Sequence, residues 1–120
     1  MRWLPRTLIS SPHLTLCLNE KEYIQAVRHC KINEHPPWVS ELSDATTHIW
    51  QNDKRTVTIV CIRPRKDRAE AYGILVHEAV HVWQQAMKDL NESAPGEEVE
   101  AVGIQGIAQQ LIEEYMRRKK

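Results

Sequence analysis

The segment His77-Glu78-Ala79-Val80-His81 constrains the fold of this chain more than any other feature. Two histidines four residues apart lie one turn apart on a single helix face, so the segment predicts a helix with two neighbouring imidazoles. Its flanking residues are mostly apolar, which predicts that this helix is buried in the core. These flanking residues are Ile74, Leu75, Val76, Val82, Trp83, Ala86 and Met87.

The three polar side chains of this segment need partners, because an unpaired charge in a core is costly. A metal ion would serve all three. In an HExxH helix His77 and His81 bind one zinc ion, and Glu78 takes a proton from a water held by that ion. The segment predicts a Zn²⁺-dependent hydrolase, specifically a metallopeptidase acting on a peptide or protein. The alternative is a pair of hydrogen-bonded core histidines with an exposed Glu78.

Composition argues against several classes of partner. The 120 residues carry 16 basic and 16 acidic side chains, so no net field favours nucleic acid or a membrane surface. The basic run at residues 117–120 is expected to complement the dipole at the end of a helix. Cys17, Cys30 and Cys61 form an odd set without a CxxC pair, which indicates a reducing compartment. We expect a single domain over residues 1–120, located in the cytoplasm.

The periodicity of the chain predicts an α+β fold. An N-terminal helix is expected from about Glu20 to Lys31, because Asn19 can cap it and Glu22 follows at the capping-box position. Residues 46–50 and 56–62 are rich in β-branched and aromatic residues and predict a β-hairpin, with a polar turn over residues 51–55. The motif helix is expected from near Asp67 to between residues 87 and 90.

A last helix is expected after residues 91–96, where Ser93 and Pro95 are start signals. The short loop makes this helix an antiparallel neighbour of the motif helix. Residues 46–120 would then form the motif-bearing core, and residues 1–45 an N-terminal segment that carries the first helix and has no assigned role.

A third zinc ligand is required, because catalytic zinc normally takes three protein ligands. The HExxHxxGxxH pattern is excluded, since Gln84 and Met87 stand where its glycine and third histidine would be. Glu97, Glu98 and Glu100 on the last helix are the nearby candidates. Helical spacing puts Glu100 on the inward face and deepest along the antiparallel pair, so it is the predicted ligand. A carboxylate on the helix surface is the alternative for this residue.

The HEAVH sequence followed 19 positions later by Glu100 resembles the gluzincins, which are zinc metallopeptidases with a glutamate ligand. The stretch from Leu75 to Gln84, followed by residues 98–105, looks more like a group of short phage- and prophage-encoded zinc peptidases. The resemblance implies a minimal zincin-like domain with His77, His81 and Glu100 as ligands and Glu78 as general base. It also implies the host cytoplasm as the location, if the chain is phage-encoded.

The chain departs from the gluzincin pattern at two places. Ile104 stands where thermolysin-like members have an aspartate that orients a ligand histidine, so another acceptor must take that role. The residue that steadies the oxyanion is also unassigned, with Tyr72, Tyr115 and His48 as candidates.

A non-catalytic zinc-binding interaction domain of phage or prophage origin is the alternative from a different functional class. The fourth zinc position separates the two. A structural site is closed by a fourth protein ligand, for which His48 and Cys61 are candidates, whereas a catalytic site keeps that position open.

Overall fold

The residues that the structure describes form an α+β fold of three helices and one four-stranded sheet. The computed structural model describes residues 1–5, 13–51 and 56–119. In chain order the elements are β1 (Trp3–Leu4), β2 (His13–Cys17), α1 (Glu20–His29), β3 (Ala45–Gln51), β4 (Thr56–Ile62), α2 (Arg68–Asp89) and α3 (Glu97–Arg118).

The sheet has the strand order β1-β2-β4-β3. β3 and β4 pair antiparallel, with Thr47 opposite Val60. β2 pairs parallel with β4, with Cys17 beside Cys61, and β1 adds an antiparallel edge. Two of the four strands therefore come from the N-terminal segment, for which only a helix was predicted, and β2 lies in the centre of the sheet.

Helices cover both faces of the sheet, so the domain has two cores. Alternate residues of β2 and β4 face α1, among them Cys17, Ile59 and Cys61. The intervening residues, such as Leu16, Val60 and Ile62, face α2 and α3. β4 is buried on both faces and most of its residues are apolar, as expected for a strand between two helical layers.

Local signals set most element boundaries as predicted. The Asn19 side chain accepts from the amide of Glu22, and Asp67 caps α2 by accepting from Glu70. The predicted hairpin is confirmed as β3 and β4, while its turn at residues 52–55 lies outside the described residues. α3 begins at Glu97 after Gly96, later than Ser93 suggests, and no side chain caps it.

The α2–α3 pair depends on a glycine. A Cβ atom on Gly103 would lie 2.1 Å from the indole ring of Trp83, so only glycine allows the two helices to approach this closely. Trp83 fills the space that the missing side chain leaves, and it is buried.

One prediction about α2 is wrong. The helix is not buried on all sides, since its buried residues form one face while His77, His81 and Gln84 are exposed. Val76 is also 41% exposed, so the prediction from the apolar residues around the motif overestimated how much of α2 is buried. The cause is that α3 and the sheet cover only part of the circumference of α2. Among the described residues, neither α2 nor any other helix is long and apolar enough to cross a membrane.

Candidate metal centre

α2 brings the two histidines of the motif together. His77 and His81 lie one turn apart on the exposed face, with ring centroids 5.0 Å apart and ring planes inclined at 77°. The side chain of His77 is 70% exposed, so its ring faces solvent rather than the core. This exposure contradicts the alternative of two hydrogen-bonded core histidines, because neither ring is enclosed by the core.

The geometry of this cluster fits a divalent metal ion. His77, Glu78 and His81 each offer one ligand atom, and these atoms all lie within 4.8 Å of one another. Zinc at its usual distance from two imidazole nitrogens holds them roughly 3.3 Å apart. Exposed rings can make the small rotation that this requires. The cluster thus supplies two imidazoles and a carboxylate, a donor set that suits zinc.

Gln84 can accept a hydrogen bond from a predicted ligand histidine, a role that the Ile104 side chain cannot take. The Oε1 atom of Gln84 lies 3.3 Å from Nδ1 of His81, three residues earlier on α2. When Nδ1 carries the proton and donates a hydrogen bond to Gln84, Nε2 has a lone pair that can bind a metal ion. This role of Gln84 was missed in the sequence, where its position one turn after His81 is the only signal.

Glu78 differs from the two histidines because it is buried. It is 5% exposed and points toward the sheet, where Oε1 accepts a hydrogen bond of 2.8 Å from the Thr47 hydroxyl. Oε2 lies 3.8 Å from Nε2 of His77. Thr47 was missed in the sequence because its contact depends on how β3 lies across α2, 31 residues away in the chain.

The cluster opens into a cleft between α2 and β3. This cavity of about 550 Å³ is lined by residues 45–49 of β3, by α2 from His77 to Lys88, and by Pro36 and Pro37 on the opposite wall. A second cavity of about 570 Å³ continues toward the start of α2, past Gly73, and shares His77 and Glu78 with the first. The candidate metal centre therefore lies where two cavities meet.

β3 is an edge strand, and its open side faces this cleft. The amide of Arg63 donates to the carbonyl of Asp44, which makes these two residues a hydrogen-bonded pair of the antiparallel ladder. Since such pairs alternate along a strand, the backbone groups of Ala45, Thr47 and Ile49 point away from β4. An extended chain in the cleft could pair with them.

Glu100 is not brought to the histidines. It is exposed on the first turns of α3, and its Oε2 accepts a hydrogen bond of 3.2 Å from the indole of Trp83. Within the described residues, the group that could hold a metal contains only His77, Glu78 and His81. Glu100 as a ligand remains a prediction, and it requires the carboxylate to leave Trp83.

His48 lines the cleft, but its side chain is engaged elsewhere. Its Nε2 atom lies 2.8 Å from the carbonyl oxygen of Trp38, and its ring packs against Tyr23 and Trp50. Burial lowers the pKa of His48, and the hydrogen bond to Trp38 offsets this only in part. His48 is therefore neutral at neutral pH and donates through Nε2.

Cys61 and the two tyrosines also lie apart from the cluster. The hydrogen bond of Cys61 with Cys17 and its full burial raise the pKa of its thiol, so it stays protonated and is a poor metal ligand. Tyr72 and Tyr115 line a different cavity, and the Tyr115 hydroxyl contacts the backbone of Arg65. Neither tyrosine lines the cleft at the histidines.

We compared the chain with protein-family models, curated proteins and solved structures, and found no match in any of the three. A functional assignment therefore depends on the residues and geometry of the cluster.

Proposed function

We propose that this protein is a zinc-dependent hydrolase, and specifically a metallopeptidase with a minimal zincin-like fold. The observation that carries the proposal is the cluster itself, in which two exposed imidazoles and one buried carboxylate from a single helix turn converge within 4.8 Å at the floor of an open cleft. A purely structural pair of histidines would have no need of this cleft.

His77 and His81 are the proposed protein ligands of the zinc ion, and Gln84 fixes the tautomer of His81. Glu100 is proposed as the third ligand. It lies on the helix that packs against α2, and its present partner is an indole N–H on α2. Exchange of that single hydrogen bond to a carboxylate for a metal bond gives up about 1.5–3 kcal/mol, which a bond to zinc can offset.

The proposed chemistry divides between the ion and Glu78. Zinc would supply Lewis acidity, which makes a water molecule nucleophilic at neutral pH and polarises a carbonyl. Glu78 would accept the proton of the attacking water on Oε2, the oxygen that lies nearer to His77. The same carboxyl group would then deliver that proton to the leaving amine.

A peptide is the proposed substrate because the cleft matches an extended chain. The outward backbone groups of Ala45, Thr47 and Ile49 offer hydrogen bonds to a peptide strand. The two cavities lie on either side of His77 and Glu78, so a chain along β3 would extend past the candidate centre in both directions. A small-molecule substrate would not require this length.

The non-catalytic zinc-binding domain is the competing proposal. It requires a fourth protein ligand to close the site, yet His48 donates to Trp38 and Cys61 is fully buried beside Cys17. Within residues 1–5, 13–51 and 56–119, no further His, Cys, Asp or Glu joins the cluster. These contacts favour an open position, as catalysis requires.

The experiment is a cleavage screen of the zinc-loaded protein against a mixed peptide library, with products identified by mass spectrometry. The account expects new termini that disappear when zinc is chelated and when His77 is replaced by alanine. Cleavage that persists in the His77→Ala protein would come from a contaminating peptidase. A library left intact by fully zinc-loaded protein would overturn the proposed activity.

A further inference from the structure

The two oxygens of Glu78 have different surroundings, and the difference bears on what this residue can do. Oε1 accepts a hydrogen bond of 2.8 Å from the Thr47 hydroxyl, whereas Oε2 lies 3.8 Å from Nε2 of His77 and accepts no hydrogen bond from the described residues. One oxygen is therefore anchored, and the other faces the two histidines.

Glu78 could take either of two roles, and the first weakens the second. Its carboxylate is close enough to the two imidazoles to be a metal ligand itself. Coordination to a metal ion withdraws electron density from a carboxylate and lowers its basicity, so Glu78 as a ligand would be a poor general base. Some contact must hold the carboxylate in one role.

Thr47 can hold the carboxylate of Glu78 in one role, because contacts before and after Thr47 fix β3 against α2. Toward the end of β3, Gln51 donates to Asp89 of α2 at 2.6 Å. Just before β3 begins, Asp44 pairs with Arg65, and Arg65 also pairs with Glu70 of α2. The Thr47 hydroxyl is therefore carried by a strand that is held against α2 at both ends, so it cannot easily follow Glu78 toward an ion.

We propose that Thr47 is a positioning residue that holds Glu78 back from the metal ion and so keeps it as the general base rather than a third ligand. This inference rests on the proposed function, in which His77 and His81 bind zinc. It extends that function, because one hydroxyl group on the edge strand would decide whether Glu78 acts as a metal ligand or as a general base.

The test compares three substitutions. Thr47→Val removes the hydroxyl and keeps the shape and β-branching of the side chain. Thr47→Ser keeps the hydroxyl and is expected to behave like wild type. Thr46→Val is the matched control, because it removes a hydroxyl from the neighbouring residue, whose side chain lies on the other face of β3.

The first readout is metal binding, measured without any substrate. In Thr47→Val the released carboxylate is expected to join the ion, which changes the visible absorption spectrum of the Co²⁺-loaded protein and tightens zinc binding about 10-fold in competition with a chromophoric chelator. The changed spectrum should revert when Glu78→Gln is added to Thr47→Val. Thr47→Ser and Thr46→Val should keep the wild-type spectrum and affinity.

The second readout is peptide hydrolysis. In Thr47→Val the account expects kcat to fall by about 100-fold or more, the range of general-base catalysis, with KM nearly unchanged. A loss of folding would instead appear in the circular dichroism spectrum and would affect zinc binding in the opposite direction.

The outcomes separate the two proposals. A Thr47→Val protein with wild-type spectrum, zinc affinity and kcat overturns the role of Thr47 and leaves the peptidase proposal intact. A wild-type protein that cleaves no peptide, while Thr47→Val shows the spectral change that depends on Glu78, overturns the peptidase and supports the restraint by Thr47. A wild-type protein that binds neither Co²⁺ nor zinc overturns both.

Discussion

Two buried glutamates on neighbouring helices, Glu78 on α2 and Glu114 on α3, have opposite surroundings. Glu114 is 1% exposed and receives hydrogen bonds from Arg2 at 2.9 Å and from Arg117 at 2.6 Å, with Arg118 at 3.7 Å. Glu78 is 5% exposed and has one neutral donor, the Thr47 hydroxyl. The two carboxylates are similarly buried, but arginines compensate the charge of Glu114 and no described arginine does so for Glu78.

The arginines make Glu114 a structural residue. Burial opposes its charge, but the hydrogen bonds from Arg117 and Arg2 outweigh that cost and hold the pKa of Glu114 below its usual range. Arg118 continues the network to the carbonyl of Leu16 on β2. The network thus joins the last turn of α3 to the N-terminal strands.

Glu78 has no such network, and one of its oxygens faces a cleft. Its Oε2 atom faces the cleft and lies near His77, where the proposed general base has to be. Burial therefore does not distinguish the two carboxylates, whereas incomplete charge compensation beside a cavity sets Glu78 apart as the proposed general base.

The largest expected effect comes from Glu78→Gln. Peptide hydrolysis should fall by about 10²–10⁴-fold, because the amide cannot accept the proton of water. Zinc content should stay at the wild-type level, and the free energy of unfolding should change by no more than about 1 kcal/mol, since the amide oxygen can still accept from Thr47. Glu114→Gln is the matched control and should keep its activity per folded molecule. Full activity in Glu78→Gln would refute its role.

The next effect concerns Glu100, a third glutamate on the same pair of helices. If it leaves Trp83 to bind the ion, Glu100→Ala should weaken zinc binding by at least about 10-fold in a chelator competition assay. Glu97→Ala, three residues earlier on the exposed first turn of α3, should have no effect. Equal zinc affinities for the two variants would remove Glu100 from the ligand set.

The stability effect of Glu114→Gln is expected to be smaller. Loss of the charge leaves the contacts of Arg2 and Arg117 as neutral-acceptor hydrogen bonds, which should lower the free energy of unfolding by about 1–3 kcal/mol. Urea denaturation followed by circular dichroism measures this quantity. If Glu114→Gln and Glu78→Gln have the same denaturation midpoint, the two carboxylates do not differ in their contribution to stability as proposed.

The smallest effect is a difference in pH dependence. Because the pKa of Glu114 is lowered in the folded state, the unfolded chain binds a proton first on acidification. The stability that Glu114 contributes is therefore present above its ordinary pKa of 4.5 and is lost as the pH falls through its lowered value. Melting temperatures measured at falling pH should drop less steeply for Glu114→Gln than for wild type. Parallel curves would contradict this assignment.

Local chemistry predicted much of this fold. Asn19 was identified as a cap because a capping residue and its partner are only three positions apart, and the motif helix was expected to start near Asp67, which caps it. The two hairpin strands were identified because their β-branched residues are contiguous. β2 was missed because its parallel pairing with β4 joins residues that are 44 positions apart, from Cys17 to Cys61, and leaves no local signal.

The candidate site was predictable only in part, for the same reason. His77, Glu78 and His81 share one helix turn, so their spacing alone brings them together. The contact of Thr47 with Glu78 depends on the packing of β3 against α2. Helical periodicity placed Glu100 on the side of α3 that faces α2, but it could not tell that Trp83 rather than His81 would be its neighbour.

The most direct test of the central claim is the zinc content of the protein, measured by elemental analysis after purification without chelators and again after incubation with zinc. We expect about one zinc ion per wild-type chain, as for a mononuclear site. The His77→Ala, His81→Ala double variant should hold none. A second double variant, His29→Ala with His35→Ala, removes two other exposed histidines and should bind zinc like wild type. A wild-type protein that takes up no zinc under either condition would contradict the account.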